Sequence, residues 1–241
     1  MNITYNSIAS YYDNIFPLNH LQREFVKSKI GDTINASILD LGCGTGTLDI
    51  SLSKEGYSII GIDADSKMIE IARNKNNSEN VAFLVEDMSK IQRSFKPETF
   101  DTIMSMGNSI VHLEDAESIE NLFIAAKSLL KRDGQFIGQI INYRRIFDKM
   151  VTGLPSIDNE HITFERNYQF TGPGARLDFK TRLFVKETNQ IIENNETLYP
   201  LLPEEALFML ENAGFYDIEL FGSFGGDALT TDSYSFIFVA K

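Results

Sequence analysis

Short apolar runs alternate with helical stretches along the first 140 residues. The helical stretches begin near residues 47, 66 and 115, where apolar residues recur every three or four positions. The apolar runs are short enough to be buried strands and span residues 38–41, 58–62, 81–85, 100–105 and 135–141. Strands that alternate with helices predict βαβ units and a mostly parallel sheet covered on both faces.

The pattern changes to period two after residue 160. The apolar face of this segment alternates with polar residues and carries Ile162, Phe164, Arg166, Tyr168 and Phe170. Such alternation is typical of a half-exposed antiparallel strand. After a turn at 171–174, two more strands are predicted, at 177–186 and 191–199.

A helix beginning at Pro203 and strands at 215–221 and 233–239 return to the α/β pattern. We therefore predict an α/β domain from residues 1–150 and 200–241. Residues 151–199 form a small antiparallel insert in it.

Composition and charge narrow the possible partners. The 241 residues contain 34 acidic and 22 basic side chains, a formal net charge of −12 that disfavours nucleic acid as a partner. No segment reaches the roughly 20 apolar residues that span a bilayer, and Met1–Tyr5 does not resemble a secretion signal. Cys43 is the one cysteine, so no disulfide or cysteine zinc cluster forms within the chain. A cytoplasmic protein without membrane or nucleic-acid partners, monomeric or homodimeric, is expected.

A glycine cluster follows the first predicted strand. Its glycines are Gly42, Gly44 and Gly46, directly after Asp40. A dinucleotide-binding turn would place a glycine where Thr47 stands, and the lysine of a phosphate-binding P-loop is absent. The carboxylate of Asp40 favours a cationic ligand over a pyrophosphate, although a glycine cluster alone can also be a turn without a ligand.

Carboxylates also follow the next two predicted strands. Asp63 ends the second strand, where a carboxylate can accept hydrogen bonds from both hydroxyls of a ribose. Asp87 and Met88 follow the third strand and could bracket an adenine. Open α/β sheets bind ligands at the carboxyl ends of their strands, so these signals together indicate one binding site.

With these residues the chain resembles the class I S-adenosylmethionine-dependent methyltransferases over nearly its whole length. The resemblance also rests on the Asp65–Met68 helix start, Phe100-Asp101, the Leu202–Phe215 segment and an N-terminal pattern around Tyr12. It implies a Rossmann-like, seven-stranded, mostly parallel sheet of order 3-2-1-4-5-7-6, with the insert as a lid. The cofactor-binding residues that it implies are Tyr12, Asp40, Gly42, Cys43, Gly44, Gly46, Asp63, Ala64, Met68, Asp87, Met88 and Met106.

Three features indicate a small-molecule acceptor. The segment Met106–Leu113 and the pair Asn142-Tyr143 are similar to those of small-molecule N-methyltransferases of the glycine/sarcosine or amino-sugar type. The predicted lid is also similar to theirs. The Pro-Pro motif of adenine-specific DNA methyltransferases is absent. An amine acceptor is therefore expected.

Candidate catalytic and acceptor-binding residues come from the same segments. His112 could act as a base, or could only bind polar groups at a helix entry. Asn108 and Tyr143 could orient the acceptor, or could be structural. Arg166 could bind an acceptor carboxylate next to Tyr168, or could pair with a structural carboxylate. We find no metal-ligand cluster in the sequence and expect no metal.

Other functions remain open from sequence. The chain could methylate the oxygen of a small carboxylate or hydroxyl acceptor. It could also bind S-adenosylmethionine without catalysis, because the glycine turn and the acids would look the same. A nicotinamide-dependent oxidoreductase is disfavoured by Asp40 and Thr47.

Overall fold

The computed structural model describes residues 7–31, 33, 35–170 and 176–241, so the predicted turn at 171–174 lies outside the described residues. Its larger sheet has seven strands in the order β10-β11-β5-β4-β1-β2-β3. These strands are β1 (Ser37–Leu41), β2 (Ser58–Asp63), β3 (Val81–Val85), β4 (Phe100–Ser105), β5 (Leu130–Ile141), β10 (Glu219–Phe221) and β11 (Ser235–Ala240). All neighbours run parallel except β11, which is antiparallel to β5 and β10. The predicted fold class and strand order are confirmed, with β10 and β11 as the sixth and seventh strands.

Helices cover both faces of this sheet because successive strand residues point to opposite sides. Leu39 packs in the core on one face with α6 and α8, whereas Ile38 packs on the other with α2, α3 and α4. The helices are α1 (Tyr12–Ile15), α2 (His20–Ile30), α3 (Thr47–Ser53), α4 (Ser66–Lys75), α5 (Ile91–Ser94), α6 (Ala116–Leu129), α7 (Tyr143–Asp148) and α8 (Pro203–Asn212). Within the described ranges, no helix is long and apolar enough to cross a membrane.

The second sheet, here called the inserted sheet, has four antiparallel strands in the order β6-β7-β8-β9. They are β6 (Gly153–Asp158), β7 (Ile162–Phe170), β8 (Leu177–Val185) and β9 (Gln190–Leu198). The last three match the prediction closely. β6 was not predicted, because it lies at the sheet edge and contains Pro155, which has no N–H to donate.

Other local predictions differ from the structure. β5 begins at Leu130 rather than at 135, with an irregular register opposite β4 and a positive φ of 64° at Asp133. The predicted strand at 215–221 is paired only over Glu219–Phe221. The helix α7 was not predicted. In α8 the buried residues are Pro203, Ala206, Met209 and Leu210. The apolar spacing of Leu207, Leu210 and Ala213 predicts a different buried face, of which only Leu210 is fully buried.

Candidate active site

The glycine turn between β1 and α3 is held against the end of β2. The amides of Gly42 and Cys43 both donate to the carbonyl of Ile62, at 2.8 and 2.9 Å. Gly42, Gly44 and Gly46 all have positive φ, of 81°, 56° and 71°, a conformation that side chains with a Cβ disfavour. A Cβ at Gly46 would lie 2.3 Å from the Phe83 ring. These positions therefore need glycine both for backbone conformation and for space.

Asp63 connects this turn to the start of α4. Its Oδ2 accepts a hydrogen bond from the Gly44 amide at 3.0 Å, and its Oδ1 accepts one from the Asp65 amide at 2.8 Å. Burial raises the pKa of Asp63 above its ordinary value, despite these two hydrogen bonds. Asp65 in turn caps α4 by accepting from the amides of Lys67 and Met68. Asp63 thus holds the turn as well as facing the space beside it.

A buried carboxyl pair lies behind the turn. Asp40 is 3% exposed, and among the described residues its Oδ1 has no hydrogen-bond partner. Burial, together with the charge of Asp63, raises the pKa of Asp40 to about 7, although a hydrogen bond from Asp49 opposes the rise. Burial and the charge of Asp40 raise the pKa of Asp49 well above its ordinary value. Asp49 therefore binds its proton more tightly than an exposed aspartate does, a property that the sequence pattern did not indicate.

The N-terminal helices cover the glycine turn. The Tyr12 ring lies over Gly44, where an added Cβ would be 3.1 Å from the ring. The carboxylate of Asp13 accepts hydrogen bonds from Thr45 and Thr47 at 2.5 and 2.9 Å, and pairs with Lys75 Nζ at 2.6 Å. Burial opposes ionisation of Asp13, but the bonds from Lys75 and Thr45 lower its pKa below the ordinary value. This group fastens the N-terminal segment to the turn.

Two cavities open at the carboxyl ends of the strands. The carboxylate-lined cavity, of about 510 Å³, is bounded by Asp63, Ala64, Asp65, Met68, Glu86, Asp87, Met88 and His112, among others. The aromatic-lined cavity, of about 670 Å³, is bounded by Asp40, Cys43, Met106, Asn108, Phe164, Arg166, Tyr168, Phe179 and Tyr234, among others. Tyr12, Gly42 and Gly107 line both cavities. A ligand filling one cavity would therefore meet a ligand filling the other at these three residues.

Residues 38–134, which contain the glycine turn and the carboxylates that follow β2 and β3, match the model of a methyltransferase domain family. A putative methyltransferase of Geobacillus sp. (strain WCH70) is 26% identical over 251 residues, covering 99% of this chain and 100% of that one. The chain is an S-adenosylmethionine-dependent methyltransferase.

Two other relatives align with this chain over different fractions of its length. A glycine/sarcosine N-methyltransferase of Aphanothece halophytica is 26% identical over 211 residues, 85% of this chain and 75% of that one. A ubiquinone biosynthesis O-methyltransferase of Actinobacillus pleuropneumoniae serotype 5b (strain L20) is 31% identical over 131 residues, 52% of this chain and 54% of that one. The family match implies S-adenosylmethionine as the methyl donor, whereas these relatives leave the acceptor open.

The methyltransferase offers S-adenosylmethionine a site whose chemistry fits a cation. Asp40 lines the aromatic-lined cavity, and its buried Oδ1 has no hydrogen-bond partner among the described residues, so this carboxyl group can attract a cationic ligand. Among the described residues, no group of three His, Cys, Asp or Glu side chains could hold a metal ion. Burial raises the pKa of Cys43 well above its ordinary value, so its thiol stays protonated in this turn.

His112 lies in the wall of the carboxylate-lined cavity and does not line the aromatic-lined one. Its Nδ1 is 3.1 Å from Oε2 of Glu196, an 8% exposed residue of β9. A contact between residues 84 positions apart carries no local sequence signal, so Glu196 was not predicted. This pair joins the inserted sheet to the loop after β4, and a role of His112 as a base remains a prediction.

Asn108 and Tyr143 are hydrogen-bonded to each other. Asn108 Nδ2 donates to the Tyr143 hydroxyl at 3.1 Å, and its Oδ1 accepts from the Ile141 amide at 3.0 Å. Tyr143 is fully buried and does not line either cavity, whereas Asn108 lines the aromatic-lined one. Gly46, one of the predicted cofactor residues, likewise lines neither cavity and packs against Phe83. Tyr143 can therefore act on a ligand only through neighbours that line a cavity, such as Asn108 and Tyr168.

Arg166 and Tyr168 lie on the inner face of β7 and line the aromatic-lined cavity. Arg166 Nη2 donates to the carbonyl of Pro155 at 2.8 Å, and its Cζ lies 6.0 Å from the centre of the Phe164 ring. No ion pair to Arg166 is present in the part of the chain that the structure describes. Burial raises the pKa of Tyr168 above its ordinary value, so its phenol is neutral.

Proposed function

We propose that this enzyme transfers the methyl group of S-adenosylmethionine to the amine of a small molecule that also carries a carboxylate. The observation that carries this proposal is Arg166 in the aromatic-lined cavity. Its Nε is buried, and within the described residues this atom has no hydrogen-bond partner. A guanidinium with an unused donor in an aromatic cavity favours an anionic ligand, because an unpaired buried charge is costly.

The residues around the carboxylate-lined cavity would hold the cofactor. Asp63 would bind the ribose hydroxyls, and Asp87 and Met88 would bracket the adenine. Asp40, which lines the adjoining aromatic-lined cavity, would face the positively charged methionine end. S-adenosylmethionine supplies a methyl group already activated by its sulfonium. The inserted sheet, within residues 151–199, would then bind the acceptor beyond Tyr12, Gly42 and Gly107, which line both cavities.

The residues of the aromatic-lined cavity suit an amine that attacks in its neutral form. Tyr12 and Tyr168 both have pKa values raised by burial, so their phenols serve as neutral hydrogen-bonding groups. An activated methyl group then needs alignment and exclusion of water, to which the aromatic walls of this cavity would contribute. The N-methyltransferase relative aligns over 85% of this chain, whereas the O-methyltransferase relative aligns over 52%. This difference in coverage supports nitrogen as the accepting atom.

The test is methyl transfer from tritiated S-adenosylmethionine to amino acids, to the matching amines without the carboxylate, and to the matching hydroxy acids. Label should enter the amino acids, and Arg166→Met should raise their KM by about 30- to 150-fold, the cost of one charge-assisted contact. Arg182→Met is the matched control, because Arg182 lies on the same sheet but pairs with Glu165 and Glu193 at the exposed surface. Equal use of the amines without a carboxylate, or label only in the hydroxy acids, would contradict the proposal.

A further inference from the structure

The inner face of the inserted sheet is mostly apolar, with a polar row along its middle. In the strand register, Arg166 of β7 lies directly opposite Thr181 of β8, and Thr181 lies directly opposite Asn194 of β9. The row on one side is apolar and consists of Phe164, Leu183 and Ile192; the row on the other side consists of Tyr168, Phe179 and Glu196. Side chains that face each other across neighbouring strands act together on one surface. Arg166, Thr181 and Asn194 therefore form one polar row.

Thr181 is buried in this row and its hydroxyl is unused. The residue is 5% exposed and lines the aromatic-lined cavity. Its Oγ1 has no hydrogen-bond partner in the described part of the chain, and the same holds for Nε of the neighbouring Arg166. A hydroxyl buried without a partner destabilises a protein, and a valine of the same shape would avoid that cost. Two adjacent unused donors on one cavity wall point to a ligand that accepts from both.

We propose that Thr181 is a specificity-determining residue that binds the acceptor carboxylate together with Arg166. The Thr181 hydroxyl donates to one carboxylate oxygen and the Arg166 Nε–H donates to the other. Asn194 continues the row, and its buried Nδ2 also has no partner among the described residues. It does not line the cavity, however, so the anchor has two donors. This inference rests on the proposed function for the identity of the acceptor, but the anion site itself can be tested without turnover.

The first measurement is the stability of Thr181→Val. Because valine has the shape of threonine without the hydroxyl, the ligand-free variant should have a Tm about 2–4 °C above that of the wild type. Thr197→Val is the matched control, since Thr197 is exposed on the opposite face of the sheet. A fall in Tm for Thr181→Val would show that the hydroxyl is bonded within the protein, and would overturn the inference.

The second measurement is anion binding, followed by ¹⁹F NMR with trifluoroacetate as the probe and S-adenosylhomocysteine present. Trifluoroacetamide is the uncharged control. Wild type should bind trifluoroacetate in preference to the amide. Thr181→Val should weaken this binding by about tenfold or more, and Thr181→Ser, which keeps the hydroxyl, should stay within about threefold of wild type. Thr197→Val should bind as wild type does.

The outcomes separate this inference from the proposed function. If the wild type does not bind trifluoroacetate, or if Thr181→Val binds it as tightly as the wild type does, the anchor is overturned even if amines are methylated. Binding that depends on Thr181 would support the anchor even if no amino acid accepts the methyl group, in which case only the proposed function fails.

Discussion

Replacing Gly46 by alanine should destabilise the enzyme through a contact that the structure defines. The φ of Gly46 is +71°, and an added Cβ would lie 2.3 Å from Cζ of Phe83. The left-handed conformation costs a residue with a Cβ about 1–2 kcal/mol, and overpacking costs about 1–3 kcal/mol more. The sum is roughly 2–5 kcal/mol, which in a chain of this size lowers Tm by roughly 4–20 °C.

Two further variants separate these contributions in calorimetric unfolding. Gly56 also has a positive φ, of 91°, but a Cβ there would meet nothing within 4 Å, so Gly56→Ala should show only the conformational cost. Phe83→Leu should remove most of the contact, so Gly46→Ala should cost less in that background than in the wild type. Equal losses of stability for Gly46→Ala and Gly56→Ala in the wild-type background would refute the proposed contact with Phe83.

Three other predictions concern the residues around the turn. Asp63→Ala should weaken S-adenosylmethionine binding by at least about tenfold in calorimetry, because an ionised hydrogen-bond acceptor is removed. Unchanged affinity in a folded variant would exclude Asp63 from the cofactor site. Asp40 has a folded pKa of about 7, above the value of about 3.9 in an unfolded chain, so the folded state binds the proton more tightly. The unfolding free energy of the ligand-free enzyme should therefore fall as pH rises from about 4 to about 7, and denaturant unfolding of Asp40→Asn should show a flatter profile over that range. Asp13→Ala removes the carboxylate that Thr45, Thr47 and Lys75 share. The variant should release S-adenosylhomocysteine about threefold to tenfold faster in stopped-flow fluorescence. An unchanged rate would show that the N-terminal segment does not retain the cofactor.

Local patterns were sufficient to predict the large sheet. The run before Gly42 is apolar because β1 is buried on both faces, and the glycines mark the turn that must approach a ligand closely. Period-two alternation likewise placed Arg166 and Tyr168 on one face of β7. By contrast, β6 has no such alternation, and it is recognisable only once β7 offers it a partner.

The contacts that complete the candidate site depend on residues far apart in sequence. Asp13 binds Thr45, Thr47 and Lys75, which are 32 to 62 positions away. Thr181 is notable only because the register of β7 and β8 places it beside Arg166. Burial also changes pKa values in ways that the sequence does not indicate. From the sequence alone, Asp49 would be an ordinary acid on a helix surface, but in the structure it is buried near Asp40, which raises its pKa.

Whether this enzyme is an N-methyltransferase can be decided by identifying the atom that receives the methyl group. The enzyme would be incubated with S-adenosylmethionine labelled with ¹³C in the methyl group and with the amino acid that it methylates fastest, and the product would be examined by ¹³C NMR. We expect a new N-methyl carbon signal, together with its loss when Arg166→Met is assayed at the same acceptor concentration. An O-methyl ester signal, or an N-methyl signal of equal intensity from the matching amine without a carboxylate, would contradict this expectation.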